Sequence, residues 1–127
     1  MAYLIDTDWA VDYLKGVDEK VSFLQSTEDL YITTISLGEL MEGIEGSEKK
    51  EDRLKGLENF LASLTVVSFT EEMAYTFGEI RNELREKGKL PGDIDLMIAA
   101  TALYLDLELL TDNKKHFEHI HGIKLYD

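Results

Sequence analysis

The stretch GDIDLMIAATALY, Gly92–Tyr104, decides how the rest of the chain is read. After Asp95 it is almost wholly apolar or small, which is the composition of a helix enclosed on nearly all sides. Pro91-Gly92 interrupts whatever precedes it, and Asp93 stands where an N-cap is expected. Asp95 falls in the first turn, at the positive end of the helix dipole. A carboxylate at the mouth of a buried helix has two readings, a helix-start device or a member of a site. The choice depends on which other acids join it.

Working outward, Glu71–Lys87 carries Met73, Phe77, Ile80 and Leu84 at helical spacing, an amphipathic helix whose apolar stripe is core. Ala2–Asp6 is a short apolar run ending in an acid, the pattern of a buried parallel strand. A helix over Thr7–Lys15 follows, capped by Thr7 or Asp8 and stopped by Gly16, and then a short helix over Asp18–Gln25. Leu30–Ile35 is β-branched and aromatic, hence a strand. Ser36 opens a helix to about Ile44, and Ser36 with Glu39 has the S-x-x-E spacing of a capping box. Glu48–Leu64 is a charged amphipathic helix, Val66–Phe69 a third strand and Leu107–Thr111 a fourth. Asn113–Phe117 reads as a helical turn and Ile123–Tyr126 as a terminal strand. Strands alternating with helices predict an α/β fold, a three-layer α/β/α sandwich on a mainly parallel sheet, with residues 1–127 forming one domain.

Bulk composition narrows the function. A 127-residue chain with 44% hydrophobic residues is long enough to bury a core without staples. The absence of cysteine excludes disulfide and thiolate chemistry and suits a reducing cytoplasm. No apolar run approaches a membrane span, and Met1 leads straight into a core strand without a targeting leader. A net charge of −13 argues against a protein that coats nucleic acid through a basic face. It leaves room for an enzyme that meets nucleic acid through a metal ion and a few local cations.

Four acids fall at informative places. Asp6 ends the first strand, Glu39 lies one turn into the helix after the second, Asp95 opens the buried helix, and Asp112 ends the fourth strand. In a parallel α/β sheet the carboxyl ends of strands and the starts of the following helices share one edge. Each acid has a bland reading: Asp6 a strand-end residue, Glu39 a capping-box partner, Asp112 a cap for the turn at Asn113. Together they predict a cluster whose mutual repulsion calls for a hard divalent cation, Mg²⁺ or Mn²⁺, on oxygen ligands. Such a site activates water against a phosphodiester. His116, His119 and His121 crowd one C-terminal segment at poor ligand spacing and read as structural or exposed.

The motifs LIDTD (Leu4–Asp8), TTISLGELMEGIEGS (Thr33–Ser47), IRNELREKG (Ile80–Gly88), GDIDLMIAATAL (Gly92–Leu103) and LLTDNKKHFEHIHGIKL (Leu109–Leu125) run in one order over nearly the whole chain. In that order they resemble the PIN-domain ribonucleases of the VapC toxin type. The resemblance implies a homodimeric, Mg²⁺- or Mn²⁺-dependent endoribonuclease held inactive by a cognate antitoxin with a basic C-terminal segment. By position it implies Asp6, Glu39 and Asp95 as the acidic core. The fourth acid of the family often stands two residues after the threonine of the last motif, which here is Asn113, with Asp112 one residue early. Thr7 and Ser36 match small hydroxyl positions, and Asp8 and Asp93 match possible supporting carboxylates.

Two other readings compete. Asp6-Thr7-Asp8 with the acids Asp93 and Asp95 imitates a haloacid-dehalogenase-type phosphatase, but Ala10 stands where that motif wants Thr or Val, and Glu39 has no role in it. A binding module without catalysis has no use for intact acids at Asp6, Glu39 and Asp95.

Overall fold

In the computed structural model, which describes Met1–Asp127 throughout, four short parallel strands carry the fold. They are β1 (Tyr3–Ile5), β2 (Leu30–Thr33), β3 (Thr65–Val67) and β4 (Glu108–Leu110), in the order β3-β2-β1-β4. The register pairs Tyr3 with Leu30 and with Glu108, and Ile5 with Leu110. Successive side chains of a strand point to opposite faces. Leu4 and Leu109 therefore enter one core while Ile5 and Leu110 enter the other. Burial on both faces explains why the strands are apolar without alternation.

Helices cover the two faces. On the side of Ile5, Ile32 and Leu110 lie α1 (Thr7–Leu14), α2 (Asp18–Gln25), α3 (Thr34–Glu45) and α4 (Lys50–Leu61), through Trp9, Leu24, Leu40 and Phe60. On the side of Leu4 and Leu109 lie α5 (Glu71–Lys87) and α6 (Asp93–Tyr104), through Ile80, Leu84, Leu96 and Ile98. This is the expected three-layer α/β/α arrangement. No helix is long and apolar enough to cross a membrane.

α6 has no polar face along its middle: Leu96 and Ile98–Ala102 are all buried, and Thr101 returns its hydroxyl to the carbonyl of Met97 at 2.9 Å. Three alanines in that run (Ala99, Ala100 and Ala102) keep the helix slim enough to be covered by α5 and the sheet together. Its exposed residues, Asp93, Ile94 and Tyr104, lie at the two ends. The boundaries of α5 are those the sequence predicts. Thr70 accepts from the N–H of Met73 at its start, and Gly88 takes the left-handed φ of +68° that ends it.

Several local expectations are corrected. α3 starts at Thr34, because the buried Thr33 hydroxyl accepts the N–H of Ser36 at 2.9 Å and is the cap; Ser36 and Glu39 form no capping box. α6 is capped by Gly92 without a side-chain bond, and Asp93, one residue inside, pairs with Arg81 at 3.1 Å. α1 is capped by Asp6 and not by Thr7 or Asp8. The terminal strand shrinks to a single bridge, Leu125 beside Leu109, since only the N–H groups of Leu109 and Tyr126 find partners there.

The sealed middle of α6 leaves no room for extra volume. Ala99→Leu should lower stability by about 1–3 kcal/mol, read as a fall in the urea midpoint with unchanged slope. An unaltered midpoint would mean that α6 has slack on the α5 side.

Candidate active site

Asp6 is the residue around which the site is built. It follows β1, and its own N–H is bonded to Leu110 of β4, so its position is set by the sheet. Its side chain is only 4% exposed. One oxygen accepts the N–H of Thr7 at 2.8 Å, which starts α1, and the other accepts the Thr111 hydroxyl at 2.7 Å. Thr111 stands opposite because Ile5 pairs with Leu110, and the next residue of each strand reaches the same edge. Burial pushes the Asp6 carboxyl up to about 6, and Asp8 and Asp95 push in the same direction, against the two hydrogen bonds that favour the charged form.

The other predicted residues gather in three groups. Thr7 Oγ1 donates to Glu39 Oε1 at 2.6 Å and lies 2.8 Å from the Oγ of the wholly buried Ser36. This joins the start of α1 to the first turns of α3 and brings Glu39 beside the residue that follows Asp6. Asp95, half-buried in the first turn of α6, is close enough to Asp6 to raise its pKa, and its Oδ2 lies 2.9 Å from His116 Nδ1.

Asp112 keeps different company from that expected of a fourth acid. Its oxygens are taken by Trp9 Nε1 at 3.1 Å and Lys20 Nζ at 3.0 Å, and it does not cap the following turn. Asp8 accepts the N–H groups of Trp9 and Asp112, at 2.8 and 2.9 Å, and so holds the end of β4 against α1. Burial raises the Asp8 carboxyl, and Asp112 and Asp12 add to the rise. Asn113 is exposed and gives only its N–H, to Thr111 Oγ1 at 3.0 Å. Asp93 is occupied by Arg81.

Sequence reasoning missed three contributors. His116 was read as structural or exposed; it is 53% exposed but touches Asp95, because a 3₁₀ turn (Lys114–His116) anchored by the buried Phe117 folds back over the sheet edge. His119 and His121 are exposed as expected. Thr111 and Lys20 complete the missed set. The alignment of the two strand ends was the available signal for Thr111; nothing in the sequence singled out Lys20.

In this conformation no three acidic or imidazole groups stand close enough to share one ion. Each of the three central acids is turned to a partner: Asp6 to Thr111, Glu39 to Thr7, Asp95 to His116. The donor set nevertheless fits a hard divalent cation in kind, since Asp6, Glu39 and Asp95 offer carboxylate oxygens and Asp6 carries a charge that burial disfavours and a cation would stabilise.

Comparison with known proteins decides the family: the PIN domain matches residues 3–123. The chain belongs to the PIN-domain family. Relatives include Ribonuclease VapC2 of Rickettsia felis, 32% identical over 98% of this chain and 96% of that protein. Another is the tRNA(fMet)-specific endonuclease VapC of Salmonella typhimurium, 33% identical over all of this chain and 98% of that one. Among solved structures, VapBC2 from Rickettsia felis bound to a DNA fragment from their promoter aligns with a TM-score of 0.92 and 32% identity, over 99% of this chain and 98% of that one. These matches place the chain in the VapC branch of PIN-domain nucleases, and the phosphatase reading falls away. In this PIN domain Asp6, Glu39 and Asp95 sit on the expected strand-end edge.

The raised carboxyl of Asp6 makes a prediction for the metal-free protein. Between about pH 4 and 6 the folded form keeps a proton that the unfolded chain has lost, so stability should fall as pH rises through that window. Raising the carboxyl from its ordinary 3.8 to about 6 costs the folded state about 3 kcal/mol at neutral pH. Asp6→Asn removes that cost but weakens both charge-assisted hydrogen bonds, from Thr7 and Thr111. It should gain on the order of 1 kcal/mol in EDTA at pH 7 and flatten the pH dependence. Thermal unfolding of both proteins in EDTA across this range checks it; a mutant that melts lower at neutral pH would show that hydrogen bonding, not the burial of the charge, dominates at Asp6.

Proposed function

We propose that this protein is a VapC-type endoribonuclease that hydrolyses RNA phosphodiesters with Mg²⁺ or Mn²⁺ held by Asp6, Glu39 and Asp95. What supports this above all is the buried Asp6 carboxyl, pushed up to about 6 by burial and by Asp8 and Asp95, on the strand-end edge of a PIN domain. Bound there, such an ion supplies an activated water and stabilises the charge of an in-line displacement, which leaves a 5′-phosphate end. The chain's own residues do the positioning. Thr7, itself held by Ser36, fixes Glu39; Thr111 holds Asp6, and His116 holds Asp95. Asp8 and Asp112 act further out, fixing the end of β4 against α1 and Trp9.

The partner reading follows from the names of the relatives and from one groove. Solved relatives are VapBC toxin–antitoxin complexes. A groove of about 410 Å³ runs beside Glu39 between α1, α3 and α4, walled by Val11, Leu14, Leu40 and Ile44, with Lys15, Asp52 and Arg53 also in its lining. An apolar wall ending at an acid suits an amphipathic antitoxin segment that ends in Arg or Lys. Exposed Val66, Tyr75, Leu90 and Tyr104 offer apolar surface for a homodimer. The cytoplasm is the natural place for this cysteine-free protein, whose 127 residues act as one domain.

Asp95→Asn should abolish cleavage of RNA while leaving the circular dichroism spectrum intact, because α6 takes its cap from Gly92. Full activity in that variant, or in excess EDTA, would sink the assignment. A synthetic basic, amphipathic peptide should inhibit cleavage, bind more weakly as salt rises, and compete with Mg²⁺ or Mn²⁺. Equal affinity with and without metal would place the peptide elsewhere than the acids.

A further inference from the structure

A second cavity, of about 320 Å³, adjoins the acidic site and has a different lining. Its wall toward the site is Thr111, the residue that donates to Asp6. Its other walls combine the aromatic rings of Trp9, Phe23 and Tyr126 with two lysines, Lys20 and Lys114, and three carboxylates, Glu19, Asp112 and Asp127. The volume is at the lower end of what small-ligand pockets occupy, about 300 Å³ upward.

The three aromatic rings brace one another. Trp9 and Phe23 meet edge-on at 5.4 Å, Phe23 and Tyr126 lie at 4.8 Å, and Trp9 and Tyr126 at 6.2 Å. Trp9 is buried within this cluster, and Phe23 and Tyr126 are the rings that keep partial exposure; an aromatic face there stacks a nucleobase without regard to its identity. The two lysines play different parts. Lys20 is committed: it bridges Asp112 at 3.0 Å and Asp12 at 3.5 Å and lies 4.9 Å from the centre of the Trp9 ring. It therefore neutralises the Asp112 carboxylate at the cavity wall. Lys114 is available. Its only ion pair is with the fully exposed carboxylate of Asp127, at 3.3 Å, and an exposed pair of that kind contributes little. A phosphate can take the place of Asp127 without leaving the ammonium bare. Lys114 also opens the 3₁₀ turn that ends in His116, which touches Asp95, so the cation and the acids are joined by a single turn. In a chain with 26 acids and 13 lysines and arginines, a polyanion must be drawn by such local cations.

We propose that this cavity is a subsite for the RNA nucleotide flanking the cleaved phosphodiester, its base against Tyr126 and the rings behind it and its phosphate on Lys114. The proposal rests on the ribonuclease reading and adds to it where the substrate lies beside the acids.

The protein carries its own probe, because Trp9 is the only tryptophan. The test uses the full chain carrying Asp6→Asn, in EDTA, with a short oligouridylate. Anisotropy of labelled RNA reads binding as such, and Trp9 emission with unlabelled RNA reads the cavity. Emission should change saturably at the same concentrations as anisotropy. Lys114→Glu and Tyr126→Ala should each weaken binding by about tenfold, Tyr126→Phe should restore it, and Lys49→Glu, a cation outside the cavity, should have little effect. RNA that binds by anisotropy while Trp9 stays silent overturns the proposal, and so does equal weakening by Lys49→Glu and Lys114→Glu. Emission that responds to an acidic peptide but not to RNA would assign the cavity to a protein partner and overturn it too. No binding of RNA by anisotropy would remove the ribonuclease reading itself, a different failure from that of the subsite.

Discussion

A carboxylate sealed from water must be compensated or it opposes folding, and Asp6 is compensated only in part. Two donors, the N–H of Thr7 and the hydroxyl of Thr111, hold its oxygens, yet burial and the neighbouring acids still outweigh them. The surrounding elements meet at this point. α1 begins on Asp6, the end of β4 supplies Thr111, and the first turn of α6 brings Asp95. The chain thus keeps a costly charge where three elements converge.

The scaffold makes that convergence unavoidable. Parallel strands send all their carboxyl ends to one edge, and each strand end there leads into a helix start or a turn. With helices on both faces, the strands need no polar side, so the apolar residues Leu4, Ile5, Leu109 and Leu110 fill two cores and the polar residues are displaced to the edge. α6 is held most tightly, sealed between α5 and the sheet, and this rigidity keeps Asp95 in place at its exposed N-terminal end.

The edge is not uniform. Beside Glu39 it opens into a largely apolar groove, whereas beside Thr111 it opens into a cavity of aromatic rings, lysines and carboxylates. Asp112 belongs to the second side, where Lys20 and Trp9 absorb its charge. The surfaces on either side of the same acids are therefore chemically distinct.

What the sequence by itself determined is what periodicity and local chemistry encode. The limits of α5 were legible because Thr70 and Gly88 act within a turn of the helix they bound, and the burial of α6 was legible because its middle has no polar face. The positions of Asp6, Glu39 and Asp95 at strand ends and helix starts followed from the alternation of elements. Only the tertiary structure decided which atom each acid faces. Ser36 and Glu39 have the spacing of a capping box, yet both turn to Thr7, 29 and 32 residues away. Asp6 finds Thr111 at a separation of 105 residues, Trp9 finds Asp112 at 103, and Asp95 finds His116 across a 3₁₀ turn. Hydrophobic burial is set by a residue's own type and spacing, so it can be read along the chain. A hydrogen bond or ion pair is set by two groups brought together from far apart, and no local pattern records the second of them.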